Sequence, residues 1–442
     1  MSFDVLILGG GTAGCVLAAR LSEDSGRSVC LVEAGPDYGH YDEGRWPEDM
    51  VDGRTLAFSH AWERLDEDDR SQLRARIIGG CSAHNTCALV RGLPTDYDEW
   101  GHGWSHETIE PFLERGEREL RARPFADHEL SPWHRAFAAV APSAGLLGGA
   151  HPVNAVGTVR WHTGFAYLDA ARSRPNLTVL AETVTDRVLL RGGRAFGAAT
   201  SAGELEASMV VVSAGSYGSP AILLRSGVGP GLAVDLPVGE NLRDHVGVGF
   251  EWELDGRLIE ETAAFEREEP LFMGQVTLFD EARDLFVFPA NVPLDEGYDL
   301  DGAVFAMKPH SSGRVTLSSE EPEAPPRVEH GFLTDDRDVG TLVHGLKVVR
   351  RLTAARPLAG YLGAEARPGA DTDLEGYVRA EARGFFHPVG TCAIGSVVDG
   401  NARVLGVEGL AVADASIMPT VPRANTNLST VAVAERVAEL LR

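Results

Sequence analysis

The sequence predicts an α/β protein in which a Rossmann-like, doubly wound and mainly parallel sheet carries an inserted unit of antiparallel strands and helices. Three observations lead to this prediction. A short apolar strand at residues 3–8 runs into the glycine motif GGGTAG at 9–14 and then into a segment with helical apolar spacing. A second strand at 28–32 ends in an acidic residue. Residues 250–335 contain runs that alternate apolar and polar residues, as in an antiparallel sheet with one exposed face.

The glycine motif, between a strand and a helix, predicts a dinucleotide site. Gly9 permits the tight turn, Gly11 lets the backbone approach a pyrophosphate, and Gly14 lets the helix pack closely on the strand. The helix begins near Thr12 and Ala13, where its free N–H groups and partial positive charge suit phosphate oxygens.

The second strand ends at Glu33, whose carboxylate is placed to bind the ribose hydroxyl groups. A carboxylate there accepts hydrogen bonds from both ribose hydroxyls and repels a 2′-phosphate. We therefore expect FAD or NAD rather than NADP. The motif alone does not distinguish FAD from NAD.

The composition excludes several functional classes. The 442 residues are enough for two or three domains, and no apolar run approaches the roughly 20 residues that span a bilayer. A formal charge of −25 argues against nucleic acid as a partner. The five cysteines have no metal-like spacing and no basic leader precedes the first strand, so we expect a cytoplasmic protein without a metal site or membrane association. The oligomeric state is left open.

Four further blocks follow the glycine motif in order, at residues 76–100, 215–229, 239–245 and 409–427. Together they resemble the signatures of glucose–methanol–choline (GMC) oxidoreductases over nearly the whole chain. The resemblance implies an FAD enzyme that oxidises an alcohol to an aldehyde or ketone by hydride transfer to flavin N5. It thereby favours FAD over NAD. The implied partners are a small alcohol and either O2 or another electron acceptor.

The same resemblance implies a flavin domain interrupted by the substrate domain. We expect an FAD-binding region at 3–247, a mainly substrate-binding domain at 248–382 and a C-terminal return to the FAD domain at 383–442. Residues 336–382 are expected to be helical. Ser219 and Pro220 are expected to start a helix, with Ser219 as its N-cap and Pro220 as its first residue.

Two residues are candidates for the chemistry. The segment GFFHPVGT at 384–391 makes His387 the catalytic histidine by resemblance, either as a general base or as an imidazolium that stabilises an alkoxide. Asn425 falls where the family places the partner of that histidine. A buried histidine with a purely structural role is the alternative.

The segment CSAHNTC at 81–87 is closest to the flavin-attachment motif of choline oxidases. By that resemblance His84 is bonded to the flavin 8α-methyl group, and the alternative is a histidine that only packs on the ring edge. Asn85 and Thr86 are expected near the ring in either case. The resemblance implies further cofactor contacts at Gly80, Ser82, Val184, Ala214, Asp414 and Asn427.

Other functions on the same fold stay open. They are a non-redox lyase of the hydroxynitrile-lyase kind, a flavin-binding biosynthetic protein without catalysis, and photodecarboxylase-type chemistry. A redox disulfide between Cys81 and Cys87 is a weaker alternative, because their spacing is one residue longer than in the disulfide reductases.

The substrate side is less well specified. The aromatic residues Trp161, Phe165, Phe385 and Phe386 could line a cavity, but core packing is the expected role. The chain is shorter than typical relatives of the family it resembles. We expect the missing residues to fall around 120–165 and 250–305, which would leave a more open substrate entrance or room for a bulkier alcohol.

Overall fold

The computed structural model describes residues 2–62, 73–293 and 297–442, which form two large sheets with helices between and around them. The first sheet has the order β8-β2-β1-β11-β10-β9, with β20 added beside β11. Its strands are β1 (Ser2–Leu8), β2 (Val29–Val32), β8 (Leu177–Leu180), β9 (Thr185–Arg191), β10 (Arg194–Thr200), β11 (Gly203–Val212) and β20 (Leu410–Val412).

The centre of the first sheet is parallel. β1 pairs in parallel with both β2 and β11, and β11 pairs in parallel with β20. Because both faces of this part are covered, residues 5–8 of β1 and all of β2 are continuous apolar runs, and Val210–Val212 of β11 are fully buried. The outer strands β9 and β10 are antiparallel, and there the burial along β11 alternates. The prediction of a doubly wound, mainly parallel sheet is confirmed.

The second sheet is antiparallel and has the order β18-β12-β15-β14-β13-β4, with β19 beside β12. Its strands are β4 (Leu147–Ala150), β12 (Val246–Leu254), β13 (Val276–Phe279), β14 (Leu285–Pro293), β15 (Tyr298–Ala306), β18 (Leu362–Arg367) and β19 (Arg383–Gly384). Short two-stranded pairs join β3 (Arg123–Pro124) to β5 (Pro152–Val153), β6 (Ala155–Val156) to β7 (Val159–Arg160) and β16 (Arg314–Thr316) to β17 (Arg327–Glu329).

Strand β14 shows how the second sheet separates its two faces. Successive side chains of a strand point to opposite faces. Leu285 and Val287 belong to the core cluster under the helices, whereas Phe286 and Phe288 belong to an aromatic cluster on the other face. The expected alternation of this strand is therefore confirmed, and the aromatic face is directed toward the functional site.

Helices cover both sheets. The helices are α1 (Thr12–Leu21), α2 (Glu48–Val51), α3 (Pro94–Asp98), α4 (His106–Glu119), α5 (Pro132–Val140), α6 (Asp169–Ala171), α7 (Gly215–Arg225), α8 (Gly256–Glu266), α9 (Asp336–Thr353), α10 (Leu374–Glu381) and α11 (Thr426–Leu440). Shorter 3-10 turns occur at Tyr41–Glu43, Gly80–Ala83, Asp127–Glu129, Ala141–Ala144, Leu358–Gly360 and Ala415–Ile417, and a π-helical turn at Gly164–Leu168.

Two local predictions are wrong. Helix α7 begins at Gly215 rather than Pro220, because Gly215 adopts a φ of +78° and its N–H is accepted by the buried Asp414 carboxylate at 2.8 Å. Ser219 is consequently inside the helix, where its hydroxyl donates to Asp414. The segment 336–382 is not entirely helical, because β18 pairs with the edge of β12 between α9 and α10.

The domain limits 3–247, 248–382 and 383–442 stay a proposal. The second sheet draws strands from 147–150 and 383–384 as well as from the middle part of the chain. Within the described residues, no helix combines the length and the apolar character that crossing a bilayer requires.

The packing of α1 on β1 generates a first prediction. A Cβ at Gly14 would lie 1.9 Å from the Gly9 carbonyl oxygen, so Gly14→Ala forces the helix away from the strand. We expect a loss of about 1–3 kcal/mol of unfolding free energy, measured by urea denaturation. Gly340→Ala is the matched control, because a Cβ there meets nothing within 4 Å in helix α9. The control should be stabilised by about 0.5–1 kcal/mol. Equal stability of Gly14→Ala and the unsubstituted protein would contradict this account.

Candidate active site

A cavity of about 390 Å³ lies where the two sheets meet. One wall comes from the ends of β1, β2 and β11, and another from Phe288 of the second sheet together with Met273, which precedes β13. The segments 385–388 and 425–430 close it. Ligand sites of open parallel sheets occur at this edge, beyond the carboxyl ends of the strands.

Most of the residues expected at the site line this cavity. They are Gly9, Gly11, Thr12, Ala13, Glu33, Gly80, His84, Asn85, Thr86, Val184, Ala214, His387, Asp414, Asn425 and Asn427. Gly14 and Ser82 do not line it. Gly14 provides the close helix–strand contact, and the Ser82 hydroxyl donates to the Gly79 carbonyl at 2.7 Å and lies 3.0 Å from the Thr163 hydroxyl. Both residues therefore support the cavity from behind.

The end of the cavity beside β2 holds the helix start and the carboxyl group that were expected to bind the nucleotide. Helix α1 starts without a side-chain cap, so its first N–H groups are available near Thr12 and Ala13. Glu33 accepts from the backbone N–H groups of Gly10 and Gly35, each at 2.8 Å. Burial raises the pKa of Glu33 to about 7 despite these two bonds. The carboxyl group is thus held in position before any ribose reaches it.

The middle of the cavity is formed by two backbone segments in direct contact. A Cβ at Gly80 would lie 2.7 Å from the Gly11 Cα, so no larger residue fits there. This contact fixes the 3-10 turn Gly80–Ala83 against the glycine motif. The turn ends at His84, which is buried and faces the cavity.

Cys81 also lines the cavity, whereas the sequence analysis considered it only as one half of a redox disulfide with Cys87. It lies one 3-10 turn before His84 and is accompanied by Arg74. Burial alone would raise the pKa of Cys81, but His84 and Arg74 together lower it to about 6. Cys87 is different, because its thiol lies against Gly53 and Arg160, and burial raises its pKa to about 11. Both thiols are free in the structure.

At the opposite end of the cavity, the lining residue His387 contacts a second histidine, His245, which is fully buried behind it. The Nδ1 atoms of His245 and His387 are 3.0 Å apart, and His245 Nε2 lies 3.0 Å from the carbonyl oxygen of Pro422. A carbonyl oxygen only accepts, so His245 Nε2 carries a proton. His245 Nδ1 in the neutral ring is then an acceptor, and His387 Nδ1 must donate to it.

This arrangement fixes the tautomer of His387. With its proton on Nδ1, the Nε2 atom of His387 is unprotonated and acts as an acceptor. The Asn425 side-chain amide nitrogen lies 3.4 Å from that atom, donates to it and lines the same cavity. Asn425 occupies the N-cap position of α11 without capping it, so the second N–H of its amide is available to a ligand.

Both rings are neutral at ordinary pH. Burial, with a minor contribution from His245 and Arg74, lowers the pKa of His387 well below its usual range. Burial also lowers the pKa of His245 to about 4. The Asp244 carboxylate accepts from the backbone N–H of His387 at 2.9 Å and so holds the loop that carries this ring. The site therefore presents an uncharged imidazole acceptor beside an amide donor.

The aromatic residues divide into two groups. Phe385 and Phe386 line the cavity, contrary to the expectation of core packing, because they lie in the loop between β19 and His387 that borders it. Phe385 stacks on Phe305 with ring centroids 3.7 Å apart. Trp161 and Phe165 do pack in the core of the first sheet, as expected.

Comparison with known proteins identifies the family. Two models described as GMC oxidoreductase match residues 3–247 and 309–434. The chain belongs to the GMC oxidoreductase family. It is accordingly an FAD-dependent oxidoreductase of the alcohol-oxidising kind, as the sequence analysis expected.

Relatives of this GMC oxidoreductase match it over almost their full lengths. It is 33% identical to 5-(hydroxymethyl)furfural oxidase of Methylovorus sp. strain MP688, covering 99% of this chain and 98% of the relative. It is 30% identical to oxygen-dependent choline dehydrogenase of Ectopseudomonas mendocina strain ymp, covering 100% and 94%. The solved structure of pyridoxine 4-oxidase from Mesorbium loti superposes with a TM-score of 0.85 at 26% identity, covering 99% and 98%. The first alignment runs over 528 positions, so this 442-residue chain lacks segments that the relative has.

The cavity of this GMC oxidoreductase fits FAD. The Nδ2 and Oδ1 atoms of Asn427 are buried, line the cavity side of α11 and have no hydrogen-bond partner among the described residues. A buried amide normally makes its hydrogen bonds, and the polar edge of a flavin ring offers both donors and acceptors. The glycine motif and Glu33 suit the pyrophosphate and ribose at the other end.

Two parts of the site could not be read from the sequence. His245 was noted only as the end of the block 239–245, and its contact with His387 depends on strand pairing. The aromatic wall of Phe286, Phe288 and Phe305 depends on which face of the second sheet meets the cavity. The alternation along β14 was visible, and it would have identified Phe286 and Phe288 as one face.

Proposed function

We propose that this chain is an oxidase for a primary alcohol carried on a flat ring, with the aldehyde and hydrogen peroxide as products. The observation that carries the proposal is the unprotonated Nε2 of His387, which faces the cavity within hydrogen-bonding distance of the Asn425 amide. FAD, when bound, supplies the acceptor for the hydride that leaves the alcohol carbon.

His387 and Asn425 act on different atoms of the substrate hydroxyl group. Nε2 of neutral His387 accepts the hydroxyl proton, and the Asn425 amide donates to the oxygen as negative charge develops on it. His245 is a positioning residue, because its Nδ1 accepts from His387 Nδ1 and so keeps the second nitrogen free. The resulting charge on His387 can be shared with His245, which is anchored to the Pro422 carbonyl.

The cavity wall supports a flat ring on the substrate, and the relatives support O2 as the electron acceptor. Phe288, Phe385 and Phe386 form flat walls that suit an aromatic or heteroaromatic ring. Relatives named for furfural and pyridoxine substrates act on hydroxymethyl groups attached to flat rings. Two of the three relatives are named as oxidases and the third as oxygen-dependent, which supports O2 as the acceptor.

The second prediction tests the role of His387. The flavin should stay bound in His387→Ala, whereas its reduction by anaerobic 5-(hydroxymethyl)furfural should slow by about 10²–10⁴-fold. Stopped-flow loss of the 450 nm absorbance measures this rate, and aldehyde is quantified in the same samples. His344→Ala on the exposed side of α9 is the control and should reduce at the original rate. Unchanged reduction in His387→Ala would refute the assignment, and absence of bleaching with every ring alcohol would favour the lyase.

The third prediction concerns pH. Because burial lowers the pKa of His387 well below 6.5, its base form persists as the pH falls and is lost only near the lowered pKa. Cys81 and Glu33 have pKa values of about 6 and about 7, so the contribution of His387 is isolated as the ratio of kcat/KM in the unsubstituted protein to that in His387→Ala. For an uncharged alcohol this ratio should stay constant between about pH 6 and 7. Steady-state rates of both proteins across that interval check it. A steep fall of the ratio centred near 6.5 would show that the imidazole titrates like an exposed one.

We also propose covalent attachment of the flavin through His84. Bond formation between its ring nitrogen and the 8α carbon removes one methyl hydrogen and the imidazole proton, and the two electrons released pass to O2. The neighbouring Arg74 and Cys81 keep this part of the cavity polar.

The fourth prediction is a precipitation experiment on this linkage. After acid precipitation, the yellow colour of the unsubstituted protein should stay in the pellet, whereas that of His84→Ala should leave with the supernatant. Absorbance spectra of both fractions measure the distribution. Release of all colour from the unsubstituted protein would leave His84 as a non-covalent neighbour of the ring.

A further inference from the structure

A second, smaller pocket of about 10 Å³ adjoins the main cavity, with which it shares Asn425 and Phe385. A volume of this size holds about one water-sized group. The other lining residues are Val90, Phe279, Arg283, Phe286, Met307, Arg423 and Ala424. A ligand whose oxygen contacts Asn425 thus has a second polar position close by, with aromatic rings between the two.

Arg283 supplies the polar wall of this pocket. It lies in the turn between β13 and β14 with a φ of +57°, an uncommon conformation for a residue other than glycine. Its guanidinium carbon is 4.3 Å from the centre of the Phe279 ring, and its Nη1 donates to the Arg91 carbonyl at 3.2 Å. The guanidinium is therefore held in one place by a ring and a single carbonyl.

The other cations around the pocket all have carboxylate partners. Arg423 pairs with Asp96 at 2.5 Å and with Asp284 at 2.7 Å. Lys308 lies 2.6 Å from Glu99 and 3.5 Å from Asp96. A further pair, between Arg91 and Glu117, spans 2.5 Å.

Arg283 differs from these cations. Throughout 2–62, 73–293 and 297–442, no carboxylate lies within 4.0 Å of its guanidinium. Burial lowers the pKa of Arg283, and the more distant Asp96 offsets this only in part. A half-buried cation that contacts no carboxylate is costly for a protein, so such a group is expected to serve a ligand. The contrast is sharper in a chain whose formal charge is −25, where carboxylates are plentiful.

We propose that Arg283 binds an anionic group, such as a carboxylate, at the end of the alcohol substrate opposite the hydroxyl. This inference rests on the proposed function and narrows it to hydroxymethyl-substituted aromatic or heteroaromatic acids. The hydroxyl lies between His387 and Asn425, the ring lies among the phenylalanines, and the carboxylate meets the guanidinium fork. The same cation repels a quaternary ammonium, so a choline-like substrate is disfavoured.

The fifth prediction compares two alcohols of nearly equal shape, 4-(hydroxymethyl)benzoate and 4-(hydroxymethyl)benzamide. In the unsubstituted holoenzyme, kcat/KM for the acid should exceed that for the amide by about tenfold or more, the size of one charge-assisted pair. Arg283→Gln should abolish this preference, chiefly through KM, and Arg283→Lys should restore part of it. Arg257→Gln is the matched control, because Arg257 also stacks on a ring, that of Tyr361, and donates to a carbonyl far from the cavity.

The preference of Arg283 for an anionic group can also be measured as binding, without turnover. Calorimetric titration with 4-methylbenzoate and 4-methylbenzamide, which lack the hydroxyl group, should show a preference for the acid that weakens at high salt. Equal dissociation constants for the two, or a preference that survives in Arg283→Gln, would overturn the role of Arg283. No aldehyde from either alcohol, with the acid still bound more tightly, would instead count against the proposed oxidation.

Discussion

The pairing of β12 with β19 is the constraint on which the candidate active site depends. Val246 faces Gly384 in this antiparallel register, and the Phe385 N–H then donates to the His245 carbonyl at 3.0 Å. The pairing brings two histidines that are 142 positions apart in the chain into contact through their Nδ1 atoms. A shift of one residue would turn one ring to the other face of the sheet and leave the second without its acceptor. The register of the β12–β19 pairing therefore determines which ring nitrogen of His387 carries the proton.

The sequence predicted the parts of the fold that local chemistry determines. Close backbone approach occurs at Gly14 of the glycine motif and at Gly80, which contacts Gly11 of that motif, and only glycine allows it. The position of the expected nucleotide site could therefore be predicted. Resemblance to the GMC family located His387 and Asn425, and the structure brings both to one cavity. Their catalytic roles remain proposals.

The parts that could not be predicted depend on contacts between distant segments. The start of α7 is set by Asp414, which lies about two hundred positions further along the chain and accepts the Gly215 N–H. The residues of β18 were expected to be helical. They are extended because they pair with the edge of β12, a partner that is distant in the sequence. The contacts of Arg283 and Arg423 likewise depend on how the β13–β14 turn meets the loop before α11. In this arrangement Arg423 gains two carboxylate partners, whereas Arg283 has none within 4.0 Å among the described residues.

The alternation along β14 gives the two faces of this strand different roles. Leu285 and Val287 pack under α9 and hold the sheet together, whereas Phe286 and Phe288 on the same strand shape the space offered to a ligand. Replacing every second residue can therefore remodel substrate preference while leaving the hydrophobic core intact.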